Sequence, residues 1–410
     1  MYVVIFHHIQ VNTKHKTDGI KLAHFSIKEY LLSTYVKEHH DKKIKVFSLS
    51  QELSHSIISQ TCLAYLLQFK TLKSVDYADF SFMEYAAKNW IFHVQSSNDD
   101  ESEESFLSEL TIKLLTPNTP AFVNWIKIYD AWQAPEHLPP LYYACKAGLI
   151  KVTLILLKNG ADVNTWINGN RGHVLQMAIY EGCEAIAKLL IKNGADVNAE
   201  GGGYGNALQA ASFKGQEAMA KFLIENGADV NTKGGPYGNA LQIASYKGYE
   251  AIAKLLIENG ADVNTQGGHY GNALQAASYK GQDTIAKLLI ENGADVNAQG
   301  GEYGNALQAT SYKGYEAIAK LLIENGADVN AQGGYHGNAL QAALLDGHEA
   351  ISKLLIQNGA DVRGCYGTEL QAALSWGHQA VAKLLIENGA DVNTQGGHYG
   401  NALHAALYKG

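Results

Sequence analysis

Residues 172 to 410 repeat one phrase almost word for word: Gly271-Asn-Ala-Leu-Gln-Ala-Ala-Ser-Tyr-Lys-Gly281, then Ile285-Ala-Lys-Leu-Leu-Ile-Glu-Asn-Gly-Ala-Asp-Val-Asn297. Asn-Gly pairs close at Gly160, Gly194, Gly227, Gly260, Gly293, Gly326, Gly359 and Gly389, a step of 33 residues with one step of 34 and one of 30. No single globular core is built from near-identical pieces of this length. The period marks a solenoid in which each unit buries its apolar face on its neighbours.

The unit from Asn272 to Asn297 shows how it folds. Asn272 is a good helix N-cap, and Gln275 three residues on completes an Asn-x-x-Gln capping box, so a helix begins at Ala273. It carries Leu274, Ala276 and Ala277 and stops at Gly281, a residue free to take the left-handed conformation of a helix end. A second helix sets Ile285, Leu288, Leu289 and Ile290 on one apolar face, with Ala286 allowing close approach, and ends at Asn292-Gly293. Helices this short are marginal alone in water, so stability is shared along the array. Asp295 to Gly304 is Gly-rich and lacks helical period; it reads as a projecting hairpin finger.

These residues resemble the ankyrin repeat, whose pattern runs Thr-Pro-Leu-His, Ala-Ala, Gly-His, Leu-Leu and Gly-Ala-Asp-x-Asn. The match covers residues 138 to 410, with the first motif rewritten as Asn-Ala-Leu-Gln in most units and a fragment of the usual form in Pro140-Leu141. The resemblance implies an all-α solenoid of L-shaped units, two antiparallel helices with a finger at right angles, and partners bound on the concave face of fingers and first helices. We count about eight repeats, the last incomplete.

Residues 1 to 137 follow a different grammar. Ser50 to Phe69 reads as an amphipathic helix with Leu53, Ile57, Ile58, Cys62, Tyr65 and Leu66 on its apolar side. Phe82 to Val94, Phe106 to Leu115 and Phe122 to Ile128 read as three more. Ser96 to Glu104 is an acidic, solvated loop, with a docking or phosphorylation site as the alternative. Leu22 to Ser33, Tyr85-Ala-Ala-Lys-Asn-Trp90 and Pro120-Ala-Phe-Val-Asn-Trp125 are similar to the segment joining a NACHT module to ankyrin repeats in fungal NLR-like proteins. That resemblance implies a winged-helix-like remnant over 1 to 45 and a helical linker over 46 to 137. No Gly-x-x-x-x-Gly-Lys-Ser/Thr occurs, so nucleotide hydrolysis is not expected. Opening at such a remnant and closing at Gly410 after one helix of a repeat, the chain reads as clipped at both ends.

A net charge of -8 gives no general attraction to nucleic acid or anionic lipid. Cys62, Cys145, Cys183 and Cys365 are too scattered for a disulfide framework, and no apolar stretch is long enough for a membrane span. We expect a cytoplasmic protein that uses no metal and no cofactor. His7, His8, His15, His39 and His40 lack partners at ligand spacing, and His24 sits in an apolar motif. The Asp and Lys of the repeats recur at fixed places, which suits structure, and no nucleophile, base and orienting group assemble by spacing. The chain is read as a non-enzyme.

One recurring position asks for another explanation. Just before the Lys-Gly that ends the first helix stand Tyr180, Phe213, Tyr246, Tyr279, Tyr312 and Tyr408, mostly followed by a lysine, at Lys214, Lys247, Lys280, Lys313 and Lys409. By the ankyrin resemblance both positions face the concave groove. The fingers add Tyr204, Tyr237, Tyr270, Tyr303 and Tyr399. Rungs about 8 to 10 Å apart would meet every third residue of an extended peptide, which advances about 3.3 Å per residue. The competing reading has the aromatics covering their own hairpins and the lysines serving solubility. The Asn of Asp-Val-Asn, as at Asn198 and Asn231, resembles positions hydroxylated in some ankyrin proteins, against a hairpin role. Asp361 to Leu370 is three residues short, with Leu345-Asp346 and Ser375-Trp376 replacing the Tyr-Lys pair beside it, so ligand contacts should change there. We therefore expect a scaffold binding a protein or peptide, possible self-association through the uncapped last repeat, and polyanion binding through the Tyr/Lys ladder as the alternative.

Overall fold

A computed structural model describes residues 51–68, 82–97, 105–129, 138–167, 172–362, 368–395 and 399–409. The winged-helix-like remnant, the histidines before residue 41, most of the acidic loop and the shortened segment at Gly364 lie outside these residues. The chain forms two compact units, 1–160 and 161–410.

In the first unit the described helices are Gln51–Leu66, Met83–Gln95, Phe106–Leu114, Pro120–Tyr129, Pro140–Lys146 and Ile150–Lys158. The two Trp-bearing motifs meet in its core. Trp90 and Trp125 are fully buried with ring centroids 5.6 Å apart, and Trp125 Nε1 donates to Ala87 O at 3.0 Å. Aromatic pairs of this edge-on kind add about 0.5–1.5 kcal/mol beyond their burial. The first helix is rotated from the expected face: Ile57 is exposed, whereas Leu63 is buried with Cys62 and Leu66. The rotation follows its neighbour, since His55 shares a 2.7 Å Nδ1 to Nδ1 hydrogen bond with His93 of the next helix. Burial pushes the Cys62 thiol up to about 12. A maleimide at neutral pH should therefore leave Cys62 unlabelled until denaturant is added, as read by peptide mass spectrometry, because the thiolate is the reacting form.

The second unit is a stack of helix pairs. Its first helices are Val174–Tyr180, Ala207–Lys214, Ala240–Lys247, Ala273–Lys280, Ala306–Lys313, Ala339–Leu345, Thr368–Trp376 and Ala402–Lys409. With Pro140–Lys146 and Ile150–Lys158, the described chain has eight complete pairs and one lone helix.

The unit is built as its residues dictate. Asn272 Oδ1 accepts from Gln275 N at 2.8 Å and Gln275 Oε1 accepts from Asn272 N at 2.7 Å, closing the capping box. Gly281 ends the helix at φ 71°. Leu274, Ala276, Ala277, Ile285, Ala286 and Leu289 form the core, each at most 1% exposed. Full burial of such a Leu or Ile contributes about 1.5–3 kcal/mol. Leu288 and Ile290 are only half-buried, so the apolar stripe is narrower than its sequence suggests. Each described finger from Gly201 to Gly337 closes on a Gly to Gly antiparallel bridge, such as Gly300 with Gly304. An earlier one pairs Trp166–Ile167 with Gly172–His173.

Two side-chain series cross from each repeat to the next. Gln275 Nε2 reaches forward to Ala298 O at 3.0 Å and Gly304 O at 2.7 Å in the following finger. The Asp-Val-Asn asparagines form a second seam: Asn198 accepts from Asp229 N at 2.8 Å and donates to Gly227 O at 2.9 Å. Asn231, Asn264 and Asn297 repeat the pattern. Both hydrogen-bonding ends of these asparagines are engaged with the next repeat.

Candidate ligand surface

The helix-one aromatics sit in the last turn before the terminating glycine, and the finger tyrosines sit just before the glycine that closes each hairpin. These two series interleave. Tyr180, Tyr204, Phe213, Tyr237 and Tyr246 follow one another at centroid distances of 4.8, 4.9, 5.6 and 5.7 Å. From Tyr246 the column continues through Tyr270, Tyr279, Tyr303 and Tyr312 at 4.7, 5.1, 4.5 and 5.8 Å. His336 ends it, stacked on Tyr312 at 4.4 Å. Tyr399 and Tyr408 form a separate pair at 5.1 Å. The rings of the column are half-buried.

The sequence leads one to expect separate rungs a helix diameter apart. The structure instead fills the gaps with finger rings, because each finger enters between the first helix of its own repeat and that of the repeat before. The rings do not simply cover their own hairpins. Tyr270, for example, touches Tyr246 of the preceding repeat and Tyr279 of its own.

Hydroxyls and lysines reinforce this. Tyr246 is held below the usual phenol range first by a hydrogen bond from Tyr270 and further by one from Lys280, against the opposing effect of burial. Tyr279 is lowered in the same way by Tyr303 and Lys313. The donating finger phenols are raised, Tyr270 and Tyr303 first by burial and then by these same bonds, and Tyr204 likewise through burial and Tyr180. Each lysine lies over the ring one repeat back: Lys214 over Tyr180 at 4.0 Å, Lys247 over Phe213 at 3.8 Å, Lys280 over Tyr246 at 4.5 Å and Lys313 over Tyr279 at 4.6 Å. Such a contact contributes about 0.5–1 kcal/mol at exposed sites.

All the sequence-predicted aromatics between Tyr180 and Tyr312 thus fall in one column under one lysine rail. The side chain of Lys409 lies outside the described residues. Three residues went unnamed as site residues. His336 stands at the finger tyrosine's register in Tyr335-His336-Gly337, a signal present in the sequence. Glu181 and Asp346 occupy the lysine position immediately before and after the rail. Both belong to the surface: Asp346 acts on His336, where burial lowers the imidazole pKa and Asp346 opposes it, and Glu181 acts on Tyr204. Among the described residues no cluster of three metal-binding side chains occurs, and no helix is long and apolar enough to cross a membrane.

A family model described as ankyrin repeats (3 copies) matches residues 112–201, 175–267, 207–300, 266–333 and 306–396. Among curated proteins the chain is similar to the azaphilone pigments biosynthesis cluster protein L of Monascus ruber, 31% identical over 181 residues, covering 38% of this chain and 37% of that protein. The chain therefore spans little more than a third of that relative's length. Among solved structures it is similar to the human ASB11 ankyrin repeat domain, at 24% identity and a TM-score of 0.47, covering 56% of this chain and 99% of that one.

Proposed function

The chain belongs to the ankyrin-repeat family, and we propose that it is a non-catalytic recognition scaffold holding a protein or peptide along its aromatic column, on the concave side of the array. Ankyrin repeats generally mediate protein-protein interaction. The observation that carries the specific reading is the column itself, its rings half-buried under a lysine rail. Tyrosine supplies large contact area at low entropic cost, and here neighbouring rings hold each one in place before any ligand arrives. The same reading assigns residues 138–410 to the array and places the protein in the cytoplasm, where scattered cysteines suit a reducing compartment.

The finer proposal is that this is the sensing part of a fungal NLR-like protein. Its support is the order of the three motifs, the shared core of Trp90 and Trp125, and kinship with a fungal protein. The alternative, polyanion binding, draws on the lysines but loses the aromatic half of its argument. Base stacking needs free ring faces, and these rings already pack against neighbours on both sides with lysines above.

The test is a proximity-labelling comparison between the full chain and a Tyr246→Ala, Tyr279→Ala, Tyr312→Ala variant, with a matching Tyr→Phe variant that keeps the rings. We expect the alanine variant to lose most partners captured by the parent and the phenylalanine variant to retain them. An unchanged set in both would reduce the column to repeat packing.

A further inference from the structure

The lysine rail has a definite length and definite ends. At its register the repeats read Glu181, Lys214, Lys247, Lys280, Lys313 and Asp346, so four consecutive cations are closed by an acid on either side. Packing does not require this alternation. The first helix ends correctly with Glu181 or Asp346 at that position, and each is followed by a glycine at positive φ like the lysines. The helix end accepts either sign at this position, so the run of four cations is not imposed by the helix end and is available to a ligand.

We infer that the rail takes an extended acidic peptide segment, with a carboxylate at every third residue across four rungs and a basic residue at each end. The inference rests on the column being the ligand surface and adds the chemistry of what lies there. Lysine has three N–H donors, so an ammonium committed to a ring and a phenol below keeps donors for a carboxylate above. Lys280 and Lys313 are so placed, 4.5 and 4.6 Å from the ring centroids of Tyr246 and Tyr279. Their side chains are thereby held in register, reducing the entropy lost on pairing. An extended chain advancing about 3.3 Å per residue reaches successive helices, about 8–10 Å apart, every third residue. A longer polyanion would run past the rail onto Glu181 or Asp346, where like charges repel. The finger acid Glu302 lies with its Oε1 3.4 Å from His269 Nδ1.

The experiment uses the full chain and fluorescence anisotropy. A labelled peptide with four glutamates at every third position and a lysine at each end is compared with a shuffled peptide of equal composition and with a single-stranded oligonucleotide. We expect the ordered peptide to bind about tenfold tighter than the shuffled one, since pairing charges in register favours the matched partner. Lys247→Gln with Lys280→Gln should lose about tenfold, while Lys247→Arg with Lys280→Arg, which keeps the charge, should bind within about twofold of the parent. Glu181→Lys with Asp346→Lys should weaken the lysine-ended peptide and strengthen the oligonucleotide. Thermal melts check that each variant folds. Equal binding of the ordered and shuffled peptides overturns the inference, as does tightest binding by the oligonucleotide with steep salt dependence. If the tyrosine variant loses its partners while the lysine variants bind as the parent does, this inference fails and the scaffold reading stands. If neither set changes, both fall.

Discussion

Gln275→Ala will cost the array about 3 kcal/mol, because it orphans buried groups in two repeats at once. Gln275 is 2% exposed, and its amide accepts from Asn272 N while donating to Ala298 O and Gly304 O. Each buried group left without a partner costs about 1–3 kcal/mol, and little of that is recovered unless water enters. The loss falls on the junction between repeats, where a one-dimensional array is held together, so urea unfolding should broaden or split as well as shift. Gln341→Ala supplies the contrast. Gln341 Nε2 bonds the buried Glu369 carboxylate at 2.9 Å, where its counterparts hold finger carbonyls, so its loss strands a charged group and should cost at least as much without releasing a finger. A cost below about 1 kcal/mol at Gln275 would mean that water replaces the amide.

That glutamine also marks where sequence reasoning stops. The Asn-x-x-Gln spacing reveals the cap because both partners lie within one turn. The forward bonds join residues 23 and 29 positions apart, and the spacing contains no trace of them. The aromatic positions were visible one by one, but helix rings and finger rings read as two sets until the fingers were seen to enter between helices. The error at Ile57 and Leu63 is of another kind. Periodicity defines an apolar face to within one residue position, and the packed neighbour selects which edge is buried. Family and helix ends were legible because near-identical units state the same capping and terminating residues many times over. Glu181 and Asp346 were legible as departures from the pattern. Their meaning required the lysines to be placed on rings first.

Gly301→Ala should be far more damaging than Gly293→Ala, although both glycines sit at positive φ, +63° and +85°. At Gly293 a Cβ meets nothing within 4 Å, so the substitution bears only the left-handed backbone penalty, about 1–2 kcal/mol. At Gly301 it would lie 2.5 Å from Tyr270 C and 2.6 Å from Gly271 N, backbone atoms of the preceding finger that cannot rotate away. The finger must shift, and we expect a total cost of about 3 kcal/mol or more, the range of an overpacked core. The shift carries function with it. Glu302 N donates to His269 O at 3.1 Å and Tyr335 N to Glu302 O at 2.9 Å, so displacing one finger disturbs the two beside it. Tyr303 would leave its place against Tyr279 and Tyr312, opening the aromatic column between Lys280 and Lys313. Chemical denaturation measures the stability difference, and near-UV circular dichroism of the tyrosines reports the column. Equal costs for the two glycines, with an unchanged tyrosine signal, would show that the fingers move freely and do not hold the column in register.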